Sequence, residues 1–562
     1  MSLTLAGFRA TYSSMKFLKV LANSTISGLF FAGLLALLTL DININLPFEV
    51  AAFGELALAL ALPYGTIVLV AVLSLFFIVQ FFTGKRFAIK AVSPSFLAVS
   101  FALLIIVFLF ILWENASYFR SFLDAGTSGR LRAQAVVLAA LAALAGAALY
   151  ATRKYKKKIL PLTVYFLVFA LGSVFAVGQR AKYPGDRADA RAGRLEARKI
   201  DRNVVLVGLD GLSLDFIFPM IAEGRLPNFS WLVESGTWGR LETIPPTESF
   251  ILNHSLMTGK LPAKHRQLSL NSYRLFYGTY RLDVTPRFIL FRQMVRLGLL
   301  KALPGSPPRA AKDLGFIIEA NGSSALDLDF PVRASRENPG PRAEKAFGLA
   351  FKVEPSDRNR LLKFARDAFT EDWEREDSAF AEKGRRQPEL FHLLLDGLNT
   401  VEAYFYKYSH PEQFGSINQE DINRYGPLIT RYYEYYDQLI GKYLASLKDD
   451  ELLVVYSSFG VEPLPLWKRF VEWILGNPDV SAYHEDTPAG VVFFYGEGIE
   501  KRNTVEGMRI VDIAPTILYF LGLPVGKDMD GLVQSPVFAR DFTAENPIFY
   551  IGSYEETEIK SR

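Results

Sequence analysis

The chain reads Asn203-Val204-Val205-Leu206-Val207-Gly208-Leu209-Asp210-Gly211 at the start of the stretch that decides its fold. The stretch continues through Pro245-Pro246-Thr247-Glu248-Ser249 and ends with Thr258-Gly259-Lys260-Leu261-Pro262-Ala263-Lys264-His265. A short, continuous apolar run is typical of a strand buried on both faces of a parallel sheet. Open α/β folds bind their ligands at the carboxyl ends of such strands, so we expect Asp210 at a functional edge of the sheet.

Further apolar runs of strand length occur at residues 390–395, 452–456 and 491–495, with amphipathic helical patterns between them. Strands that alternate with helices in this way are typical of a sheet covered by helices on both faces. The second half of the chain is therefore predicted to be an α/β domain with a doubly wound, mostly parallel sheet.

These motifs resemble the alkaline phosphatase superfamily, and within it the type I phosphodiesterase/nucleotide pyrophosphatase branch. Other segments that match its pattern are Gly224-Arg225-Leu226-Pro227-Asn228, Val511-Asp512-Ile513-Ala514-Pro515-Thr516-Ile517-Leu518 and Asp528-Met529-Asp530-Gly531. The resemblance runs in order from Asn203 to Gly531 and implies an alkaline-phosphatase-like domain over residues 203–540. It also implies a substrate-covering cap near residues 268–359, and residues 541–562 are left as a C-terminal tail.

The resemblance also implies a set of site residues. Enzymes of this superfamily hold a nucleophile between two divalent metals, which activate the attacking oxygen and neutralise charge on the leaving one. Ser249 matches the nucleophile, and Asp210, Asp396 and His484 match metal ligands. A serine at the start of a helix would also place backbone N–H groups near an anion. Thr247 remains an alternative nucleophile, and an isolated Asp-Gly is otherwise a common helix cap.

Three positions depart from the family pattern. Thr400 stands where the family has a histidine, and Ser458-Phe459 stands where it has Asp-His. Candidate substitutes are the remaining nearby oxygen and nitrogen donors, which are Thr247, Asn253, His254, Glu402, Ser458 and Glu462. An oxygen-rich site would suit Mg²⁺, Mn²⁺ or Ca²⁺ better than Zn²⁺, and a site without metal stays open.

Two functions follow. The first is a metal-dependent phosphodiesterase or phosphotransferase that uses Ser249 as nucleophile on a phosphorylated small molecule, lipid or glycan. The second is a catalytically inactive pseudoenzyme that keeps the fold as a binding or scaffold module in envelope assembly. Preserved Ser249 and His484 favour the first, whereas the residues at Thr400, Ser458 and Phe459 favour the second.

The composition of the chain limits the partners, metal sites and location that either function could have. The chain has 562 residues with a net charge of +4, so it carries no electrostatic signature of a nucleic-acid partner. It contains no cysteine, which excludes disulfides and thiolate metal sites. Half of the residues are hydrophobic, and the apolar excess lies before Gln179. This distribution predicts a membrane-embedded N-terminal region.

Residues 1–179 contain apolar segments near 20–40, 56–82, 95–113, 133–151 and 159–179, each long enough to cross a bilayer. The sequence thus predicts an all-α transmembrane region of about five helices, followed by a linker over residues 180–202. Basic residues cluster at the amino end, at Lys85, Arg86 and Lys90, and over residues 153–158. Since short basic loops face the cytoplasm, we expect a cytoplasmic N-terminus and an extracytoplasmic C-terminal domain.

Overall fold

The computed structural model describes most of the chain. The described residues are 2–43, 46, 49–83, 92–119, 125–152, 171–172, 193–198, 200–245, 247–269, 271–275, 278–287, 291–304, 311–328, 340–353, 359–474, 477–484 and 488–560. They fall into two compact units: residues 1–186 with 268–308, and residues 187–267 with 309–562.

The N-terminal unit is built mainly of long apolar helices. Its helices span Ser2–Ile42, Val50–Leu60, Thr66–Thr83, Pro94–Tyr118, Ala125–Thr152 and Phe291–Arg296. Pro63 lies in a π-helical turn, Ala61–Gly65, that joins the second and third of them. Proline lacks a backbone N–H and cannot continue the regular ladder, which explains the irregular turn inside an otherwise continuous apolar segment.

Three segments among the described residues are long and apolar enough to cross a membrane: Lys16–Ile42, Val50–Thr83 and Pro94–Tyr118. They correspond to the first three predicted spans. The expected count of about five is not confirmed. In the fourth predicted segment the apolar stretch Leu131–Leu144 is shorter, and nearly all of the fifth, at 159–179, lies outside the described residues.

The polypeptide returns to the N-terminal unit at residues 268–308, within the segment predicted as a cap. Asn43 anchors it: its Oδ1 accepts from the Asp283 and Val284 amides at 2.9 Å, and its Nδ2 donates to the Val284 carbonyl at 2.8 Å. The Arg287 amide donates to Asn115 at 2.8 Å. Buried amides at the ends of apolar helices thus bind the returning chain, while residues 311–328 and 340–353 belong to the other unit. A substrate-covering role for this segment stays a prediction.

The strands are as follows in chain order: β1 (Gly193–Glu196), β2 (Asn203–Leu209), β3 (Thr237–Glu242), β4 (Asn271–Leu275), β5 (Leu300–Pro304), β6 (Ala325–Leu328), β7 (Leu390–Leu395), β8 (Glu451–Phe459), β9 (Glu462–Pro463), β10 (Ala482–Tyr483), β11 (Ala489–Tyr495), β12 (Asn503–Arg509), β13 (Val525–Gly526), β14 (Tyr550–Ile551) and β15 (Thr557–Lys560). Seven of them form the main sheet in the order β12-β3-β11-β8-β2-β7-β6. β2 is parallel to both of its neighbours, and β11 is antiparallel to both of its own. The sheet is therefore mostly parallel, as expected.

A hydrophobic core lies on each face of this sheet. Successive side chains of β2 alternate between the two cores: Val205 and Val207 join one, and Val204 and Leu206 join the other. The helices of this unit are Leu214–Ala222, Pro227–Ser235, Ser249–Thr258, Pro262–His265, Leu314–Ala320, Pro341–Phe351, Arg360–Arg386, Gly397–Ser409, Gln419–Tyr425, Pro427–Ser446, Leu466–Ile474, Ile513–Phe520 and Arg540–Glu545. Burial on both faces explains why the central strands read as continuous apolar runs.

The predicted linker and the predicted tail both contribute strands to this unit. β1, from the linker, pairs in parallel with β15, from the tail. Tyr554, in the predicted tail, is 1% exposed. The neighbouring Glu555 forms an ion pair with Lys260, with Nζ and Oε2 2.6 Å apart. The polar composition of these segments gave no sign of this pairing.

Candidate active site

Three neighbouring strands bring polar residues to one edge of the sheet. Leu209 of β2 pairs with Leu395 of β7, so Asp210 and Asp396 leave adjacent parallel strands together. On the other side of β2, Gly208 pairs with Tyr456 of β8, which carries Ser458 to the same edge. The edge predicted from the sequence is therefore where these side chains meet.

Asp210 lies at the centre of this edge and is fully buried. Its Oδ1 accepts a hydrogen bond from the Ser458 amide at 2.9 Å, and its Oδ2 receives no well-aligned hydrogen bond from the described residues. Burial raises the pKa of Asp210, and the charge of Asp396 raises it further. The hydroxyls of Ser249 and Ser458 lie close enough to lower the pKa in part. The result is a desolvated carboxyl beside two hydroxyls and a second acid.

Ser249 is the first residue of the helix Ser249–Thr258, as predicted. The amides of Ile251 and Leu252 donate to the Glu248 carbonyl at 2.9 and 3.0 Å, so the first turn is regular. Helix starts carry N–H groups with no intrahelical acceptor and a partial positive charge, which favours an anion. Ser249 is half-buried, so its hydroxyl combines access with a neighbouring carboxyl.

The turn after Asp210 requires glycine. Gly211 has a φ of +102°, and a Cβ atom there would lie 2.8 Å from Oε2 of Glu402 and 3.0 Å from the Asn399 amide nitrogen. The Gly211 amide donates to Oγ of Ser457 at 3.1 Å. This close approach lets the helix Gly397–Ser409 pack directly under the end of β2.

Asp372 is a second buried acid beside Asp396, and it was not identified from the sequence. It accepts from the hydroxyls of Tyr432 at 2.8 Å and Tyr436 at 2.7 Å, and from the Gly397 amide at 3.2 Å. Burial and the charge of Asp396 raise its pKa to about 7. The charge of Asp396 therefore influences both Asp210 and Asp372 at this edge.

A sequence signal for Asp372 exists in the helix Arg360–Arg386. The buried positions Leu362, Phe369, Asp372, Glu376 and Ala379 recur at helical spacing, so two acids lie on its apolar stripe. Glu376 is explained by its ion pair with Lys442, at 2.8 Å. An acid on such a stripe needs a partner in the fold, and this requirement distinguishes Asp372 from the surface acids of the same helix.

Glu402, a candidate substitute ligand, is fully buried behind Gly211. Its Oε1 accepts from the Tyr433 hydroxyl at 3.4 Å, and burial raises its pKa well above the usual range. Burial therefore favours the protonated, uncharged form of Glu402. A neutral acid supports the turn at Gly211 and is a poor cation ligand in this state.

His484 lies beside the end of β8. Its Nδ1 donates to the Thr247 carbonyl at 2.6 Å, and the Thr247 hydroxyl donates to the His484 carbonyl. The imidazole also stacks on Phe459, with ring centroids 4.8 Å apart. The neutral ring therefore carries its proton on Nδ1, which leaves Nε2 as the acceptor nitrogen. Thr247 holds His484 in this arrangement and is 2% exposed.

The other candidates lie elsewhere. Asn253 accepts from the Tyr456 hydroxyl at 3.1 Å in the core beneath the helix. His254 donates to the Phe250 carbonyl at 2.8 Å and lies 6.1 Å from the His265 ring. Glu462 is in β9. Thr400 lies in the first turn of the helix after Asp396, and its amide donates to the Asp396 carbonyl at 3.4 Å.

The donor set decides how far the site suits a divalent cation. Within the described ranges, which omit residues 485–487, no three His, Asp or Glu side chains form a metal-binding group. The two-metal arrangement of the superfamily therefore does not fit these residues. The pair Asp210 and Asp396 does fit one cation, because two repelling carboxylates and a buried oxygen without a well-aligned donor would be relieved by positive charge.

A protein-family model matches one segment of the chain. Residues 204–273 match the family model for type I phosphodiesterase / nucleotide pyrophosphatase, a branch of the alkaline phosphatase superfamily. This segment contains Asp210, Thr247 and Ser249, and the match confirms the resemblance indicated by the sequence motifs. A search of curated proteins finds no match. Asp396, Ser458 and His484 lie beyond the matched segment.

Proposed function

We propose that the protein is a membrane-anchored hydrolase or phosphotransferase that cleaves phosphoric esters with Ser249 as its nucleophile. The observation that carries the proposal is the position of Ser249, at a helix start beside the buried carboxyl of Asp210. The phosphodiesterase-family match over residues 204–273 and the apolar helices of the N-terminal unit support the reaction class and the anchor.

The chemistry follows from these neighbours. Oγ of Ser249 attacks phosphorus while the bond to the leaving oxygen breaks, giving a phosphoseryl ester. Asp210 orients the hydroxyl and takes up its proton on one carboxylate oxygen. The first N–H groups of the helix Ser249–Thr258 face the phosphoryl oxygens. Attack by water or by an acceptor hydroxyl then breaks the Ser249–phosphorus bond.

We further propose that Asp210 and Asp396 hold one divalent cation. When bound, the cation supplies positive charge that offsets the negative charge on the phosphoryl oxygens. An all-oxygen pair suits Mg²⁺, Mn²⁺ or Ca²⁺ better than Zn²⁺. His484, oriented by the Thr247 carbonyl, would then contact the substrate or its leaving group rather than complete a tetrahedral metal site.

The partner and location belong to the same proposal. The substrate would be a phosphorylated small molecule, lipid or glycan, and the α/β unit would face outside the cytoplasm, because the basic loops of the N-terminal region favour the inside. A reporter active only outside the cytoplasm, fused after Gln179, gives a signal on this view. A signal only from a cytoplasmic reporter at that position would invert the topology.

The test of the activity is hydrolysis of bis-p-nitrophenyl phosphate by the purified full chain, with Mg²⁺, Mn²⁺, Ca²⁺ or Zn²⁺ added in turn. Ser249→Ala should lose activity to background, and EDTA should abolish it reversibly. Ser416→Ala is the matched control, because Ser416 is exposed in a loop. Equal rates in wild type and Ser249→Ala would remove the proposal.

A second candidate function, a pseudoenzyme scaffold, is favoured by one observation: Phe459 stacks on His484 where a ligand pair would be needed. Restoring the family pattern with Thr400→His, Ser458→Asp and Phe459→His separates the two candidates. Activity that appears only in this variant supports the scaffold, and loss of an existing activity supports the reorganised site.

A further inference from the structure

The helix Leu466–Ile474 exposes a concentrated apolar surface on the α/β unit. Leu466 is 79% exposed, Trp467 65%, Phe470 61% and Trp473 64%. Leu466, Phe470 and Trp473 recur at i, i+4 and i+7, so they share one face, and the rings of Phe470 and Trp473 are 6.1 Å apart. Four large side chains on nine residues form a patch, not scattered exposure.

The helix is held in place at its base. It connects β9 to β10, which pair antiparallel through Glu462 with Tyr483. Arg469 donates to the carbonyls of Leu464 at 2.6 Å and Gln413 at 3.2 Å, and Lys468 lies 4.0 Å from the centre of the Tyr483 ring. These basic side chains therefore hold the helix against its hairpin and the turn at Gln413, while the aromatic side chains stay exposed.

The composition of this face indicates what covers it. Tryptophan and phenylalanine with neighbouring lysine and arginine are typical of helices that lie in the interface between lipid headgroups and acyl chains. The same chain carries three apolar segments able to cross a membrane, so a bilayer is available to this unit at high local concentration.

We propose that the helix Leu466–Ile474 is a lipid-docking element that inserts Leu466, Trp467, Phe470 and Trp473 into the membrane interface. The hairpin that carries it continues directly into His484, at the edge of the candidate active site. Docking would hold that edge close to lipid headgroups. This consequence for substrate choice rests on the proposed function, whereas the docking itself does not.

The absence of cysteine allows a direct test on the full chain. Phe470→Cys and Trp473→Cys are each labelled with the environment-sensitive fluorophore NBD and reconstituted into vesicles of phosphatidylcholine and phosphatidylglycerol. Glu506→Cys is the matched control, because Glu506 is exposed on β12. The second probe position keeps the test informative if one variant folds poorly.

Docking predicts blue-shifted emission at positions 470 and 473 and strong quenching by spin-labelled lipid. A label near the headgroup should quench more than one at the chain end, since interfacial helices lie roughly 5–10 Å deep. The control should remain aqueous and unquenched. Emission at 470 and 473 that equals the control overturns the proposal, and so does blue-shifted emission without lipid quenching, which would mean a protein cover such as a second copy. Neither result depends on catalysis.

Discussion

Replacing Asp372 by asparagine should remove a specific pH dependence of stability. The pKa of Asp372 is raised from 3.8 to about 7 in the fold by burial and by Asp396. The folded state therefore binds a proton that the unfolded state releases. The stabilisation from this bound proton is complete below the pKa that Asp372 has in the unfolded state. It is lost as the pH rises through the pKa that Asp372 has in the folded state.

The shift sets the size of the effect. A rise from 3.8 to about 7 corresponds to roughly 4 kcal/mol in total, at about 1.4 kcal/mol per unit. Between pH 5 and pH 8, about 2–3 kcal/mol of this falls inside the measured window. The amide of Asp372→Asn keeps an acceptor for the Gly397 amide and remains neutral, so the variant should show a flatter profile and gain stability relative to wild type at pH 8.

The assay is urea unfolding of the full chain in detergent, followed by tryptophan fluorescence at pH 5 and pH 8 in EDTA. EDTA keeps a bound cation from changing the charge at Asp396. Asp377→Asn is the control, because Asp377 is exposed on the same helix. If Asp372→Asn and wild type lose stability in parallel between pH 5 and pH 8, the buried-acid reasoning is refuted.

Two further changes test the packing around the site. Glu402→Gln keeps an acceptor for Tyr433 and should change the free energy of unfolding at pH 7 by less than about 1 kcal/mol. Glu402→Ala leaves Tyr433 without this acceptor and should lower the free energy of unfolding by about 1–3 kcal/mol. Equal losses of stability in the two variants would contradict a neutral Glu402. Lys260→Met leaves Asp528 and Glu555 without their shared cation and should cost about 1–3 kcal/mol near neutral pH in the same urea assay, because both carboxylates are partly exposed. Because Lys260 helps to hold the pKa of Glu555 at about 2, this difference should persist above pH 4.5 and shrink as the pH falls towards 2; a difference independent of pH would argue against the ion pair.

Local sequence patterns were sufficient for the strands that carry the site. The apolar runs before Asp210 and Asp396 predicted buried strands, and the structure places these strands side by side and parallel as β2 and β7. The start of a helix at Ser249 was implied by the family resemblance of the motif around it. Each of these features depends on residues close together in the chain, where strand length and helix capping limit the alternatives.

Features set by distant contacts were not predictable in the same way. The pairing of β1 with β15 joins the two ends of the α/β unit. Neither segment is apolar enough for its sequence to predict a strand. Residues 268–308 fold with the N-terminal helices because Asn43 and Asn115 bind their backbone, which no local pattern indicates. Phe459 lacks a metal-binding atom, but its stacking on His484 appears only when β8 and the hairpin meet.

The most direct test of the central claim is to trap the nucleophile. The full chain is mixed with bis-p-nitrophenyl phosphate, quenched in acid within the first turnover, digested and sequenced by mass spectrometry. We expect one p-nitrophenyl-phosphoryl group on Ser249 and none in Ser249→Ala. An adduct on Thr247, or product formed with no adduct on wild type, would contradict the assignment of Ser249 as the attacking residue.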